Sequence, residues 1–401
     1  MSHGQVQDRG RTALLAWELG MGLGHARRLL AIASALKARG WAPVVAAREL
    51  WACAREYRDA NIPLLQAPIH RGLTPREGVK FRARGFADIL AAAGFRDVQA
   101  LLPTVLGWDG LIDLVRPDVI VADYSPILSL AAYSRIPVLA IGDGFVLPPE
   151  HLPKLPVLRS AESEMPDDRT LLANAASIQR QRGAPVPQTL PSLIGGDARV
   201  VCTYPETDIY AALRLEPAIG PIDHALTPLD RPAKSALFAY LAAGFGPTMK
   251  LLQALAASRF PLEAFVRDIG EEAKRGLREM GVRVHDAPPR LSDVAARASV
   301  IVHHGGIGTA EAAVALGRPQ LLLPSHFEQS LNASRLLRLG VATSLRANFS
   351  PEEASQSISE AMSSDMLAHK AQETAARVAR RPGRSLERIV ELCNELAGGA
   401  S

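Results

Sequence analysis

Short apolar runs alternate with longer stretches in which apolar residues recur at helical spacing, and this alternation organises the whole chain. Thr12–Trp17 (TALLAW) has the length and continuous hydrophobicity of a buried parallel strand. A glycine-rich turn follows, Gly20-Met21-Gly22-Leu23-Gly24-His25. The next segment, RRLLAIASALKAR, places Leu29, Ile32, Ala33 and Leu36 on one helical face and stops at Gly40. With the apolar Pro43–Ala46 this makes one strand–helix–strand unit. The pattern returns as strand Val119–Ala122, helix Ile127–Ser134, strand Val138–Ile141 and a last strand over Val200–Tyr204. Residues 148–195, rich in proline and polar side chains, read as long loops and short helices. A second series runs through strand Leu237–Ala242, helix Thr248–Ser258, strand Val282–His285, strand Ser299–His303, helix Thr309–Leu316, strand Gln320–Leu323 and helix Gln329–Leu339. A helical tail begins at Pro351.

Alternating strands and helices predict an α/β fold with parallel sheets covered by helices on both faces. The 401 residues suffice for two such doubly wound domains, with ligands expected in a cleft at the carboxyl ends of the strands. The expected division is an N-terminal, acceptor-binding domain over 1–215, a linker over 216–234, a C-terminal, nucleotide-sugar-binding domain over 235–380, and a terminal helix over 381–401 packing back on the first domain. Pro217, Pro221 and Pro228 mark the linker.

Composition narrows the function classes. Hydrophobic residues make up 48% and charged residues 21%, an ordinary globular balance. A net charge of +4 is too diffuse for a nucleic-acid partner. Arg71, Arg76, Lys80, Arg82, Arg84 and Arg96 form a basic stretch that allows at most peripheral membrane contact. Cys53, Cys202 and Cys393 are too few and too scattered for a disulfide framework or a zinc site, which points to a cytoplasmic setting. The first residues lack the apolar core of a signal peptide, and no run of 18 apolar residues follows.

The sharpest local signal is Ser299–Leu323, SVIVHHGGIGTAEAAVALGRPQLLL. A strand runs into His-His-Gly-Gly-Ile-Gly-Thr and then a helix. Glycines let backbone N–H groups approach a ligand, and the helix start adds unpaired donors and a partial positive charge. A diphosphate suits that mouth. The dipole contributes only roughly 0.3–1 kcal/mol, so several N–H bonds, the Thr309 hydroxyl and the His304 imidazole must add to it. No Asp-x-Asp pair occurs, so no metal or other cofactor is expected, and leaving-group charge falls to the helix start.

This segment resembles the donor signature of the UDP-glycosyltransferase superfamily, close to bacterial and sterol-type members with a His-His-Gly-Gly-x-Gly-Thr turn. The pattern continues here as Gly317-Arg318-Pro319, Leu321–Pro324, Glu328-Gln329 and Asn332-Ala333. The resemblance implies the GT-B fold, two Rossmann-like domains facing across a cleft. It implies that His304, Gly305, Gly306, Gly308 and Thr309 bind the donor diphosphate and that Glu328 and Gln329 hold sugar hydroxyls. Gly24, Gly244, Gly246, Pro289 and Asn332 are expected to line the cleft. Two positions depart from the superfamily. A glutamate often found eight residues after the phosphate histidine is Ala312 here, with Glu311 one residue earlier. A glutamine often found beside the base is Pro289. UDP is the superfamily default, and dTDP stays open.

The N-terminal half carries the second part of the resemblance: Gly24-His25 opening a helix, then Arg39-Gly40-Trp41, and Asp123 closing the strand in PDVIVAD. In the superfamily the corresponding histidine removes the acceptor's proton and the aspartate orients it. Imidazole titrates near neutral pH, as that role requires. The implied activity is inverting, metal-independent transfer of a hexose from a nucleotide sugar to a hydroxyl of a small-molecule or lipid acceptor. The rival readings are an enzyme acting on lipid-linked cell-wall precursors and a nucleotide-sugar-binding protein without transfer activity.

Overall fold

The computed structural model describes residues 10–20, 23–70, 83–160, 166–222, 226–232 and 235–398. Met21, Gly22 and the basic positions Arg71, Arg76, Lys80 and Arg82 lie outside the described residues. The chain divides into two units. The first comprises Met1–Cys202, Tyr210–Ile222 and Arg384–Ser401, the second Thr203–Ile209 and Asp223–Gly383.

In the first unit the strands are β1 (Thr12–Trp17), β2 (Ala42–Ala47), β3 (Leu64–Gln66), β4 (Val119–Asp123), β5 (Val138–Gly142) and β6 (Ala198–Val201). They form one six-stranded sheet of order β3-β2-β1-β4-β5-β6, with every adjacent pair parallel. This is the order of a dinucleotide-binding doubly wound sheet, and it reverses direction between β1 and β4. The helices are α1 (Leu23–Lys37), α2 (Ala54–Asp59), α3 (Phe86–Leu90), α4 (Val98–Val115), α5 (Pro126–Ala132), α6 (Asp168–Gln181) and α7 (Leu190–Gly195). Alternation along β1 sends Ala13, Leu15 and Trp17 into one core with Leu29, Ile32, Ala33 and Leu36 of α1.

Two elements differ from the sequence expectation. Residues 148–195 contain α6, a helix of 14 residues, whose Asp167 side chain caps the Thr170 amide. The 18-residue α4 passes the length and composition test for a membrane span, with a mean hydropathy of 1.3. Leu101, Val105, Trp108 and Ile112 are buried beside α5, and Asp109 pairs with Arg135 and Arg182. The length and hydrophobicity of α4 thus serve packing within this unit.

In the second unit the strands are β7 (Leu237–Ala242), β8 (Leu262–Arg267), β9 (Arg283–Val284), β10 (Val300–His303), β11 (Gln320–Leu322) and β12 (Ala342–Ser344). Their order, β12-β11-β10-β7-β8-β9, is again wholly parallel and reverses between β7 and β10. The helices are α8 (Pro247–Ala256), α9 (Glu271–Glu279), α10 (Leu291–Ala295), α11 (Ile307–Ala315), α12 (Phe327–Leu339), α13 (Pro351–Ser363) and α14 (Asp365–Ala379). Leu237, Ala239 and Leu241 pack under α8 and α13 on one face, while Phe238 and Ile301 pack with Ala313 and Leu316 on the other.

The last helix, α15 (Ser385–Gly398), belongs to the first unit, where Ile389, Val390 and Cys393 join the β1–α1 core. Residues 203–209, expected in the first domain, fall in the second unit instead. Buried Glu311 is the cause: its carboxylate accepts from Thr203 Oγ1, the Tyr204 amide (2.9 Å) and Thr207 Oγ1 (2.7 Å). Residues 210–222, partly assigned to the linker from the sequence, belong to the first unit.

Candidate functional site

Each sheet gathers polar side chains where its strand order reverses. In the first unit, Trp17 ends β1 opposite Asp123 at the end of β4. His25, three residues into α1, reaches that point: its Nδ1 lies 3.0 Å from Asp123 Oδ2. Its ring stacks on Trp17 at 5.3 Å and 17° and lies beside Tyr124. Nε2 makes no hydrogen bond among the described residues. Gly20 keeps that edge open, since a Cβ there would stand 2.9 Å from Nε2 and its φ of +80° suits glycine. Gly24 is exposed beside it, with nothing near enough to meet a side chain.

Asp123 is fully buried and is shared. Arg28, one turn along α1 from His25, donates from Nη1 to Asp123 Oδ1 at 2.8 Å, and its Nη2 lies 3.9 Å from Asp143 Oδ2. Asp143 follows β5 and accepts from the Phe145 amide at 2.9 Å. Burial pushes the Asp123 carboxyl up, but Arg28 and His25 outweigh it and hold the group below the usual carboxylate range. Arg28 is raised for the converse reason, its burial outweighed by Asp123 and Asp143. The next residue, Tyr124, has φ of 51°, a left-handed backbone uncommon for a bulky side chain, directly behind the dyad.

In the second unit the reversal point holds the β10–α11 turn. His303 and His304 lie together at the end of β10, but their rings serve different partners. His303 Nδ1 accepts from the Gly305 amide (3.0 Å), and its Nε2 meets Gln320 Oε1 at 2.8 Å. His304 Nδ1 bonds the Leu323 carbonyl at 2.7 Å, while its Nε2 accepts from the Ala242 amide at 3.0 Å. That pattern defines a neutral ring carrying its proton on Nδ1. Burial lowers the pKa of both histidines, that of His303 to about 4.

His304 therefore has no ring nitrogen left for a diphosphate, unlike the contact the resemblance implies. The ring ties the ends of β7 and β11 across β10 instead. The backbone of Gly305 is likewise committed: its N–H goes to His303, and its carbonyl accepts from buried Asn332 Nδ2 at 3.0 Å. Asn332 thus supports the turn from behind rather than lining open space.

What the turn offers is the helix mouth. The first bond of the α11 ladder is Ala310 N–H to Gly306 C=O at 3.0 Å, so the amides of Ile307, Gly308 and Thr309 precede the ladder. The first turn of α11 carries no acidic residue and has no side-chain cap. Gly308 is exposed, Gly306 and Thr309 half-buried, and the Thr309 hydroxyl makes no hydrogen bond among the described residues. These groups complement an anion through aligned N–H donors and the helix dipole.

Glu328 and Gln329 start α12. Gln329 Oε1 accepts from the Ser325 amide (2.9 Å) and hydroxyl (2.8 Å), which closes the helix start and leaves its Nε2 unbonded among the described residues. Glu328 is half-buried on the same turn. Gly244 and Gly246 flank Phe245 in the β7–α8 turn, both exposed, and Phe245 meets the His304 ring edge-on at 5.8 Å. Pro289 lies half-buried in the loop before α10. Among the described residues no group of three His, Cys, Asp or Glu is placed to hold a metal ion.

Residues 257–396 match the erythromycin biosynthesis protein CIII-like, C-terminal domain family. The glycosyltransferase VinC, solved in complex with dTDP, superposes with a TM-score of 0.67 at 16% identity, covering 97% of this chain and all of VinC. The chain has the GT-B fold. Two curated relatives match shorter stretches. The L-demethylnoviosyl transferase of Streptomyces niveus is 42% identical over 65 residues, 16% of this chain and 17% of its own length. The vancomycin aglycone glucosyltransferase of Amycolatopsis orientalis is 29% identical over 127 residues, 29% of this chain and 31% of its own length.

Within this GT-B chain, the residues missed from the sequence are Arg28, Asp143 and Glu18. Arg28 had a local signal, a cation three positions after His25 on the same helical face. Asp143 directly follows the strand β5, as Asp123 closes β4. Glu18 follows β1 and accepts from the Ile127 (2.9 Å) and Leu128 (2.7 Å) amides, capping the start of α5. Burial pushes its carboxyl up to about 8, against the pull of those two bonds.

Proposed function

We propose that the chain is an inverting, metal-independent glycosyltransferase that moves a hexose from a nucleoside-diphosphate sugar to a hydroxyl of an aglycone. The observation that carries this reading is the His25–Asp123 pair at 3.0 Å, with Nε2 unbonded among the described residues. Asp123 fixes the proton on Nδ1 and stabilises the imidazolium, as a carboxylate does for a general base. In the reaction, Nε2 takes the hydroxyl proton and the acceptor oxygen bonds to the anomeric carbon. The bond from that carbon to the diphosphate oxygen breaks, and its electron pair leaves on the diphosphate.

The leaving charge meets the amides at the start of α11 and the Thr309 hydroxyl. His304 contributes by holding that turn between β7 and β11. Gln329 Nε2 and Glu328 are suited to sugar hydroxyls, an amide donor beside a carboxylate acceptor. The solved neighbour holds dTDP and one relative is named for an aglycone acceptor, which supports a thymidine nucleotide and a small-molecule acceptor over a lipid-linked one.

A thermal-shift panel of dTDP, UDP and their glucose conjugates tests the donor side. A ligand at about 100 times its Kd stabilises the folded state by roughly 2.7 kcal/mol, well within reach of a melting curve. The expected result is stabilisation by a nucleoside diphosphate, with dTDP ahead of UDP. Stabilisation led by UDP would restore the superfamily default, and no shift with any nucleotide would contradict the proposal.

A further inference from the structure

The His25–Asp123 pair continues into Arg28 and Asp143, which take no part in the proton transfer itself. Both oxygens of buried Asp123 are used, Oδ2 by His25 (3.0 Å) and Oδ1 by Arg28 (2.8 Å). Arg28 continues to Asp143, whose Oδ2 lies 3.9 Å from its Nη2. A carboxylate serving only to orient a histidine needs no guanidinium, and one paired only with arginine needs no histidine. Asp143 is itself anchored, its Oδ1 accepting from the Phe145 amide, so its second oxygen is fixed toward Arg28. The sequence His25–Asp123–Arg28–Asp143 thus alternates nitrogen-bearing side chains with carboxylates, in a site where the side chains of Asp123 and Asp143 are almost wholly removed from solvent and those of His25 and Arg28 retain 14% and 16% exposure.

We infer that Arg28 and Asp143 are positioning residues that set the proton affinity of His25. Arg28 offsets part of the Asp123 charge and so weakens the pull of that carboxylate on a proton at His25. Asp143 offsets part of Arg28 and restores some of it. The same buried carboxylate that orients the base is thereby shared with a cation, which is in turn shared with a second carboxylate. Other ionisable groups lie close by, and two of them are coupled to this chain, Cys202 to Arg28 and Tyr57 to Asp123. Tyr57, on α2, gives its hydroxyl proton to the Ala26 carbonyl. The Cys202 thiol, at the end of β6, faces the Val200 carbonyl. Glu18, after β1, is turned to the α5 amides. Tyr124, after β4, presents its ring to His25.

This inference rests on His25 being the base, so its test includes a readout that needs no turnover. The full-length protein and its Arg28→Met, Arg28→Lys and Asp143→Asn variants are each titrated by NMR of the His25 imidazole. In parallel, kcat/KM for sugar transfer is followed against pH. Arg28→Met should move the His25 titration, and the acid limb of kcat/KM with it, to higher pH. Asp143→Asn should move both to lower pH, and Arg28→Lys should lie between wild type and Arg28→Met. If Arg28→Met fails to fold, Arg28→Lys and Asp143→Asn still carry the two opposite directions. Loss of rate with no displacement of the titration would overturn the inference and leave Arg28 a packing residue. Displaced NMR titrations with no transfer activity in any protein would instead sustain the charge coupling and sink the proposed function.

Discussion

His25 and Asp123 stand 98 positions apart, yet the parallel pairing of β1 with β4 puts the Asp123 carboxylate at the start of α1. A buried charge-assisted bond of this kind contributes about 1.5–3 kcal/mol. Asp123→Asn should therefore lower kcat/KM by roughly ten- to a hundredfold, read from initial rates, with nucleotide affinity unchanged. His303 supports a second expectation at this scale. Its folded-state pKa of about 4 lies below the unfolded value of about 6.5, because burial disfavours the imidazolium. The unfolded chain binds the proton first, so this contribution is complete above pH ~6.5. It is lost as pH falls toward 4, amounting to ~3 kcal/mol in all. Urea melts at pH 7.5 and 5 should show about 2 kcal/mol of that loss, and His303→Asn should remove this part of the pH dependence.

At the scale of elements, the β10–α11 turn depends on backbone that only glycine adopts easily. Gly305 has φ of +88°, and a Cβ there would stand 3.1 Å from the Gln329 carbonyl. Gly305→Ala should cost about 1–3 kcal/mol by thermal melting and weaken nucleotide binding in the same protein. The strands bordering this turn and its partner at β1–α1 were legible in the sequence. Each is a short apolar run ended by glycine or a polar residue, and the helices after them have one clear apolar face. Other elements were not legible, for physical reasons. In α4 buried side chains are interrupted by Pro103 inside the helix, which masks the helical signal. Helix α9 is polar apart from a single buried leucine, Leu277. Strand β8 is a mixed run, LEAFVR, with half of its residues buried. Segment 148–195 is polar on average, although Leu171, Ala175 and Ile178 make a buried stripe on α6.

The candidate site was legible unevenly for a related reason. Gly-His at a helix start, Asp at a strand end and the double-glycine turn are local patterns, and each lies where the sequence put it. What a side chain bonds depends on residues brought in by other strands. The His304 ring is consumed by Ala242 and Leu323, one from each neighbouring strand end, and nothing near position 304 signals either. Asp143 became visible only once β5 was placed beside β4.

For the whole molecule, the two sheets share one strand order and both concentrate polar groups at its reversal point. The first unit is completed by the end of the chain, where α15 fills the core over β1 and α1 with Ile389, Val390 and Cys393. Ile389→Ala should destabilise that unit by about 2–5 kcal/mol, seen as a lowered transition in calorimetry. The tail is far from His25 in sequence but shares its core, so the same variant should also lower activity at temperatures near that transition.

The proposed reaction turns on His25 taking the acceptor's proton. Single-turnover transfer from a bound nucleotide sugar to an alcohol acceptor, compared in wild type and His25→Ala with nucleotide Kd measured alongside, tests it most directly. The expected result is unchanged nucleotide affinity and a transfer rate about 10²–10⁴ times lower in the variant. Transfer at the wild-type rate by a variant that binds nucleotide normally would contradict it.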